Sequence, residues 1–225
     1  MTQTPFTAPS GHSYVDGPPR QVPGFASLHR MVALLLAETT PPDGRVLVVG
    51  AGGGLELKAL AAFRPGWTFD GVDPSASMLR IAEETLGSEL ARVKLHEGTI
   101  DAAPDGPFDG AVSLLTFHFI GRDERLPTLK KIRQRLRPGA PFVLAHISFP
   151  QGEPERSAWI ARHVAFGATE GADAAALESA RQAIGTRLTI LAPDEEEAML
   201  REAGFRDVSL FYAGLSFRGW VAYAA

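Results

Sequence analysis

Gly50, Gly52 and Gly54 stand in the stretch RVLVVGAGGGLE, directly after a short apolar run and directly before residues of helical pattern. Bare backbone in that place lets a ligand approach the main chain with no Cβ in the way, and it permits the positive φ of a tight turn. A glycine-rich turn that holds no ligand is the plainer alternative. A nucleoside-triphosphate loop needs Gly-Lys-Ser/Thr; Lys58 stands between Leu57 and Ala59, so that class is excluded. A dinucleotide fingerprint, G-x-G-x-x-G, uses its third glycine for close helix–strand packing. Here Leu55 occupies that position and the glycine falls one residue early, at Gly54. Asp73 closes the stretch FDGVD, roughly twenty residues on, where a carboxylate can accept from both hydroxyls of a ribose. That pairing predicts a nucleoside without choosing which. Asp73 could also cap a helix over SASMLRIAEE, and Asp70, inside the strand, is the weaker ribose candidate. Met78 and Leu79 could pack an adenine face or the core. Gly98, Thr99 and Ile100 form a turn whose backbone groups and Thr99 hydroxyl could read a purine amine.

A second set of residues could move protons. His118, at the carboxyl end of SLLTFHF, is the best-placed general base; packing beside Phe117 and Phe119 is the alternative. His146 and His163 follow, whereas His12, His29 and His96 look incidental. No His/Asp/Glu spacing suggests a metal site. The run KKIRQRLR invites a nucleic-acid reading, but Leu129, Ile132 and Leu136 form its buried stripe. Lys130, Lys131, Arg133, Arg135 and Arg137 are then a solvated face near a helix's negative end.

These residues need a scaffold, and the chain supplies an alternating one. RVLVVG, TFDGVD, RVKLHEG, AVSLLTFHF and PFVLAHISF read as strands. LELKALAAF, SASMLRIAEETLG and RDERLPTLKKIRQRL read as the helices between them. Such alternation implies right-handed crossovers and a mostly parallel sheet covered on both faces, and continuous apolar strands agree. Ahead of it, Leu28, Met31, Val32, Leu35 and Leu36 recur at helical spacing until TTPPDG. After Phe149 the rhythm breaks into two helical segments, ERSAWIARHVAFGA and DAAALESARQAIG. A helix PDEEEAMLREAGF then has Pro193 in its first turn and Gly204 as its stop. The end of the chain predicts two aromatic-rich strands joined through Gly214.

Bulk properties narrow the partners. The chain has 225 residues, 45% of them apolar and 21% charged, with a net charge of -4, so its overall field recruits neither nucleic acid nor an anionic membrane. It has no cysteine, which excludes disulfides and thiolate chemistry and fits a reducing compartment. No apolar run is long enough to span a bilayer, and the start lacks a signal-peptide pattern. We expect a cytoplasmic protein; nothing in the sequence specifies an oligomeric state.

Taken in order, VLVVGAGGG, GVDPSASML, EGTIDAAPDGPFDGAVSLLTFHF, LRPGAPFVLAHISF and LREAGFRDVSLFYAG resemble the motifs of class I S-adenosylmethionine-dependent methyltransferases over about residues 28–225. The G-x-G-x-G spacing is the form associated with S-adenosylmethionine. The resemblance implies an α/β, Rossmann-like three-layer sandwich with a seven-stranded, mostly parallel sheet whose last strand is antiparallel. It implies S-adenosyl-L-methionine as cofactor, held by Gly50, Ala51, Gly52, Gly54, Asp73, Met78, Thr99, Ile100 and Leu115. It also implies in-line methyl transfer to a small-molecule acceptor, with Arg20, Phe25, His118, Trp159 and His163 as candidate pocket residues. Residues 1–26 are then a flexible segment or flap that includes Tyr14. Residues 27–225 are the methyltransferase domain, and 151–191 a helical insertion or lid whose Phe166 is a further candidate pocket wall.

RQVPGF and the helical insertion also look like the carboxy-S-adenosylmethionine synthases of tRNA wobble-uridine modification, and a non-catalytic S-adenosylmethionine binder is a third reading. The sequence departs from these patterns. Val48 replaces the acid many methyltransferases carry two positions before the first glycine, and Thr99 replaces a usual Asp. Met199 stands where the synthases carry an arginine for the extra carboxylate, with Arg201 two residues on, and Leu114 where they carry an asparagine. Without the arginine, no charge-assisted bond holds a carboxylate there.

Overall fold

The computed structural model describes residues 17–168 and 171–225; Tyr14 and His12 lie outside the described residues. Seven strands form one sheet: β1 Arg45–Val49, β2 Thr68–Asp73, β3 Val93–Glu97, β4 Gly110–Leu114, β5 Pro141–Ile147, β6 Phe205–Gly214 and β7 Phe217–Ala224. Their order is β3-β2-β1-β4-β5-β7-β6. β1 to β5 run parallel, and β7 lies antiparallel between β5 and β6. From β1 the order runs outward both ways, to β2 and to β4, so the loop after β1 stands at the sheet's switch point.

Alternate residues of β1 feed two separate cores, as strand periodicity requires. Val46 and Val48 join the helices α1 (Phe25–Ala37), α2 (Leu55–Phe63) and α3 (Ala76–Leu86) through Leu28, Val32, Leu57, Leu60 and Leu79. Leu47 and Val49 join α4 (Arg122–Arg135) and α7 (Pro193–Glu202) through Leu129, Ile132 and Leu200. The result is the three-layer sandwich the sequence predicts.

Between β5 and α7 the chain forms α5 (Glu155–Gly167) and α6 (Ala174–Arg187). This excursion is tied down at its end, because the Thr189 N–H donates to the His118 carbonyl at 2.9 Å and the Ser148 hydroxyl donates to the Leu191 carbonyl at 2.9 Å. Glu195 reaches back to accept the Ala192 N–H at 3.0 Å, which fixes the start of α7. Gly204 follows at φ +94 as its stop. Ahead of α1, residues 17–21 form a helical turn; Val22 is buried, and the Tyr212 hydroxyl donates to the Pro23 carbonyl at 2.6 Å. Val22 and Pro23 thus tie this segment to the body of the fold.

Candidate functional site

The loop after β1 folds back on β2: the Gly50 and Ala51 N–H groups both donate to the Val72 carbonyl at 2.9 Å. Gly50, Gly52 and Gly54 all adopt positive φ, at 79°, 47° and 79°, which only glycine takes at low cost. The structure divides their labour. A Cβ on Gly50 would lie 2.0 Å from Thr116 Oγ1, so that glycine makes room for the turn after β4. A Cβ on Gly54 would lie 3.0 Å from Ala82 Cα, so that glycine lets the start of α2 approach α3. Two of the three glycines therefore answer to their own chain, and Gly52 to Asp73.

Asp73 sits at the carboxyl end of β2 and clamps this loop. Its Oδ2 accepts the Gly52 N–H at 2.9 Å and its Oδ1 the Ser75 N–H at 2.9 Å. The cap of α3 is Ser75, whose hydroxyl accepts the Met78 N–H, so Asp73 is not the cap. Each carboxylate oxygen keeps a lone pair free for a ribose hydroxyl. Burial raises the Asp73 pKa, and the Ser75 and Gly52 amides oppose the rise. Its own carbonyl accepts the Gly98 N–H at 3.0 Å, drawing in the turn after β3. There Thr99 is exposed and its hydroxyl accepts from the Asp101 N–H, while Ile100 is buried. Met78 is buried in the first turn of α3. Asp70 is spoken for, because it pairs with Arg45 at 2.7 Å and His96 at 2.8 Å.

Leu115, just past β4, holds φ +58, a strained conformation for a leucine. Its N–H donates to the Ala145 carbonyl at 2.7 Å, and the next residue, Thr116, fills the notch at Gly50. His118 follows in a 3-10 turn, Phe117–Phe119, and is buried. Its Nδ1 accepts from the Ile147 N–H at 3.4 Å. Assigned from that bond, the neutral ring carries its proton on Nε2 and presents a donor there, not a base. Burial, then His146, Arg125 and His163, hold its pKa well below 6.5. His163 lies on α5 with Nδ1 2.6 Å from Ser216 Oγ, and burial lowers its pKa. Trp159 stacks on Phe149, and the Arg162 and Arg218 guanidiniums lie 4.7 and 5.4 Å from its ring. Phe25 packs on His29 at 4.3 Å, Arg20 is exposed, and so is Phe166. The structure therefore gathers His118 and His163 towards one interior and leaves Arg20 outside it.

A cavity of about 270 Å³ lies between the 17–21 turn, α5 and α6, lined mainly by Gln21, His163, Val164, Leu177 and Ile184 with several alanines. No residue of the glycine loop lines it.

Residues 47–142 match a family model described as a methyltransferase domain. Over that stretch the chain is similar to methyltransferase domains. The chain is 28% identical over 208 residues to a carboxy-S-adenosyl-L-methionine synthase of Chromohalobacter salexigens, covering 91% of the chain and 77% of that relative. It superposes on an O-methyltransferase family protein of Burkholderia thailandensis with a TM-score of 0.69, at 15% identity, over 96% of this chain and 60% of that one. A SAM-dependent methyltransferase of Aquifex aeolicus gives 0.64 at 16% identity, over 96% and 97% of the two chains. The chain spans only 56% of the length of some other similar structures. The cradle fits the family's cofactor in this structure: positive-φ glycines and a ribose-ready carboxylate meet at the switch point.

Sequence reasoning missed three buried charges. Glu56 is buried on α2, although positions 56, 57, 60 and 61 form the helix's inward face and place it there by periodicity. Arg125 and Glu196 pair in the interior, and Arg125 also donates to the Ile120 and Thr189 carbonyls. Burial works against the Glu196 carboxylate, yet His146 and Arg125 beside it hold its pKa below the ordinary range. The basic run is paired on α4 and just beyond it: Lys131 meets Asp101 at 2.7 Å, and Arg137, past the end of the helix, meets Asp109 at 2.8 Å. Among the described residues there is no cluster of three or more His, Asp or Glu able to hold a metal, and no helix is long and apolar enough to cross a membrane.

Proposed function

We propose that this enzyme transfers a methyl group in line from S-adenosyl-L-methionine to a small, uncharged or aromatic acceptor in the cytoplasm. The carrying observation is the Asp73–Gly52 clamp, which couples a ribose-ready carboxylate to the glycine loop at the switch point. Gly50 to Gly54 and Leu115 line the cofactor's path, Asp73 takes the ribose, and Met78, Thr99 and Ile100 stand on the adenine side. When bound, S-adenosylmethionine supplies an electrophilic methyl on a sulfonium.

The protein then has to align and to keep water out. Residues 27–225 make up the catalytic domain, with 151–191 as the lid. His118 offers an Nε2 donor, so a proton lost by an O–H or N–H acceptor on methylation passes to solvent instead of to this ring. The paired basic run supports a small molecule over a nucleic acid.

The second reading, carboxy-S-adenosylmethionine synthesis, is favoured by the relative that is 28% identical over 91% of the chain. Side-chain placement argues against it: Met199 packs on the core and Arg201 pairs with Glu197 at 2.9 Å, so neither grips a carboxylate. Incubation with S-adenosylmethionine and a metabolite library, followed by mass spectrometry, tests both. S-adenosylhomocysteine formed together with a methylated metabolite supports transfer. A carboxylated cofactor co-purifying with the protein supports the second reading and overturns the first.

A further inference from the structure

Glu56 is the second residue of α2, immediately beyond the glycine loop. It is 8% exposed, and its Oε1 is buried with no hydrogen-bond partner. A buried carboxyl oxygen left unpaired costs stability unless something meets it. The neighbouring inward positions are Leu57, Leu60 and Ala61, and the carboxyl's own backbone N–H at the helix start only partly offsets its burial. The charged group among the described residues that bears on Glu56 is Asp73, from the end of β2, so the two carboxyls are near each other. Lys58, next along α2, is exposed and faces away.

We propose that Glu56 holds the ammonium group of the cofactor's amino-acid end, giving up its own proton as that cation arrives. The inference rests on the cofactor reading above and adds the partner of the cofactor's cationic end. Its chemistry is a balanced exchange: Glu56 enters as a carboxylic acid, one proton passes to solvent, and the carboxylate accepts an N–H of the ammonium. Burial, and secondarily the charge on Asp73, push the Glu56 pKa up to about 8, so near pH 7 the free protein carries the proton that binding expels. A cation beside the carboxylate opposes both causes by stabilising its charged form. The sulfonium has no N–H to donate, which singles out the ammonium.

The test uses S-adenosylhomocysteine, which has the ammonium but no sulfonium, and adenosine, which has neither. Titration calorimetry at pH 7 in buffers of different ionisation enthalpy reads the protons released. Wild-type protein is expected to release close to one proton with S-adenosylhomocysteine and none with adenosine. E56Q is expected to release none and to bind S-adenosylhomocysteine roughly 10- to 100-fold more weakly, the worth of one charged hydrogen bond, with adenosine affinity unchanged. S-adenosylhomocysteine binding without proton release, or equal loss for both ligands in E56Q, overturns the proposal and leaves the cofactor reading standing. No binding of either ligand by wild type overturns both. A melting series without ligand shows that the variant folds: wild-type stability should fall as pH rises from about 5 to 8, and E56Q should lose that fall.

Discussion

Over β1 and β2 the ligand edge is built from main chain and two carboxyls, all within Gly50 to Asp73. Over β4 and β5 the fold instead buries side chains brought from distant segments: His118, His146, Arg125 on α4 and Glu196 on α7. His146 Nε2 lies 3.6 Å from the Glu196 carboxylate, an ion-pair distance without a hydrogen bond. The first half is a short-range device, with amides and turns that any apolar strand can deliver. The second is a buried polar network built around the Arg125–Glu196 pair. The two halves meet where Thr116 fills the notch at Gly50. The comparison teaches that one half should fail by losing ligand and the other by losing fold.

The largest effect should come from the second half. Arg125→Met leaves Glu196 buried and unpaired and should cost about 3–5 kcal/mol in denaturant titration. Adding Glu196→Leu should restore most of it, and failure to do so would show that the network holds more than a charge pair. Next, Gly50→Ala forces a Cβ into Thr116 at positive φ and should cost about 2–4 kcal/mol. Thr116→Gly in the same chain should recover part of that, because the clash goes and the φ strain stays.

In the first half, Asp73→Asn should lower S-adenosylhomocysteine affinity by about tenfold or more while costing only about 1 kcal/mol of stability. A larger stability loss than affinity loss would erase the distinction drawn here.

The two halves should also differ in the sign of their pH dependence. Glu56 has a folded pKa raised from 4.5 to about 8, so its contribution to stability is whole below 4.5 and is lost as pH rises through 8. His118 has a folded pKa well below 6.5, so its contribution is whole above 6.5 and is lost as pH falls. His118→Gln should flatten the acid-side fall in melting temperature and leave the alkaline side alone. The smallest effect belongs outside both halves: Lys130, 3.9 Å from Glu202 at the surface, should tolerate alanine within about 0.5 kcal/mol.

Much of this was legible in the residues themselves. Strand and helix alternation, the glycine loop at a strand end, Asp73 at the next strand end and the antiparallel last strand all follow from local pattern. The role of Asp73 was legible only in part, since the cap of α3 passed to Ser75 and the clamp on Gly52 is a contact across two strands. Glu56 could have been found by reading the inward stripe of α2 as a list of positions instead of a list of apolar residues. The network of Arg125, His146 and Glu196 could not, because its members sit on separate elements, each within an ordinary amphipathic pattern.

By itself the sequence determined the layers, the strand directions and the place of bare backbone, because periodicity and glycine act over a few residues. Tertiary structure alone decided which glycine answers to which neighbour, which nitrogen of His118 carries the proton, and which acid stands unpaired. Those depend on distances between segments far apart in the chain, and burial multiplies the energetic weight of every such distance.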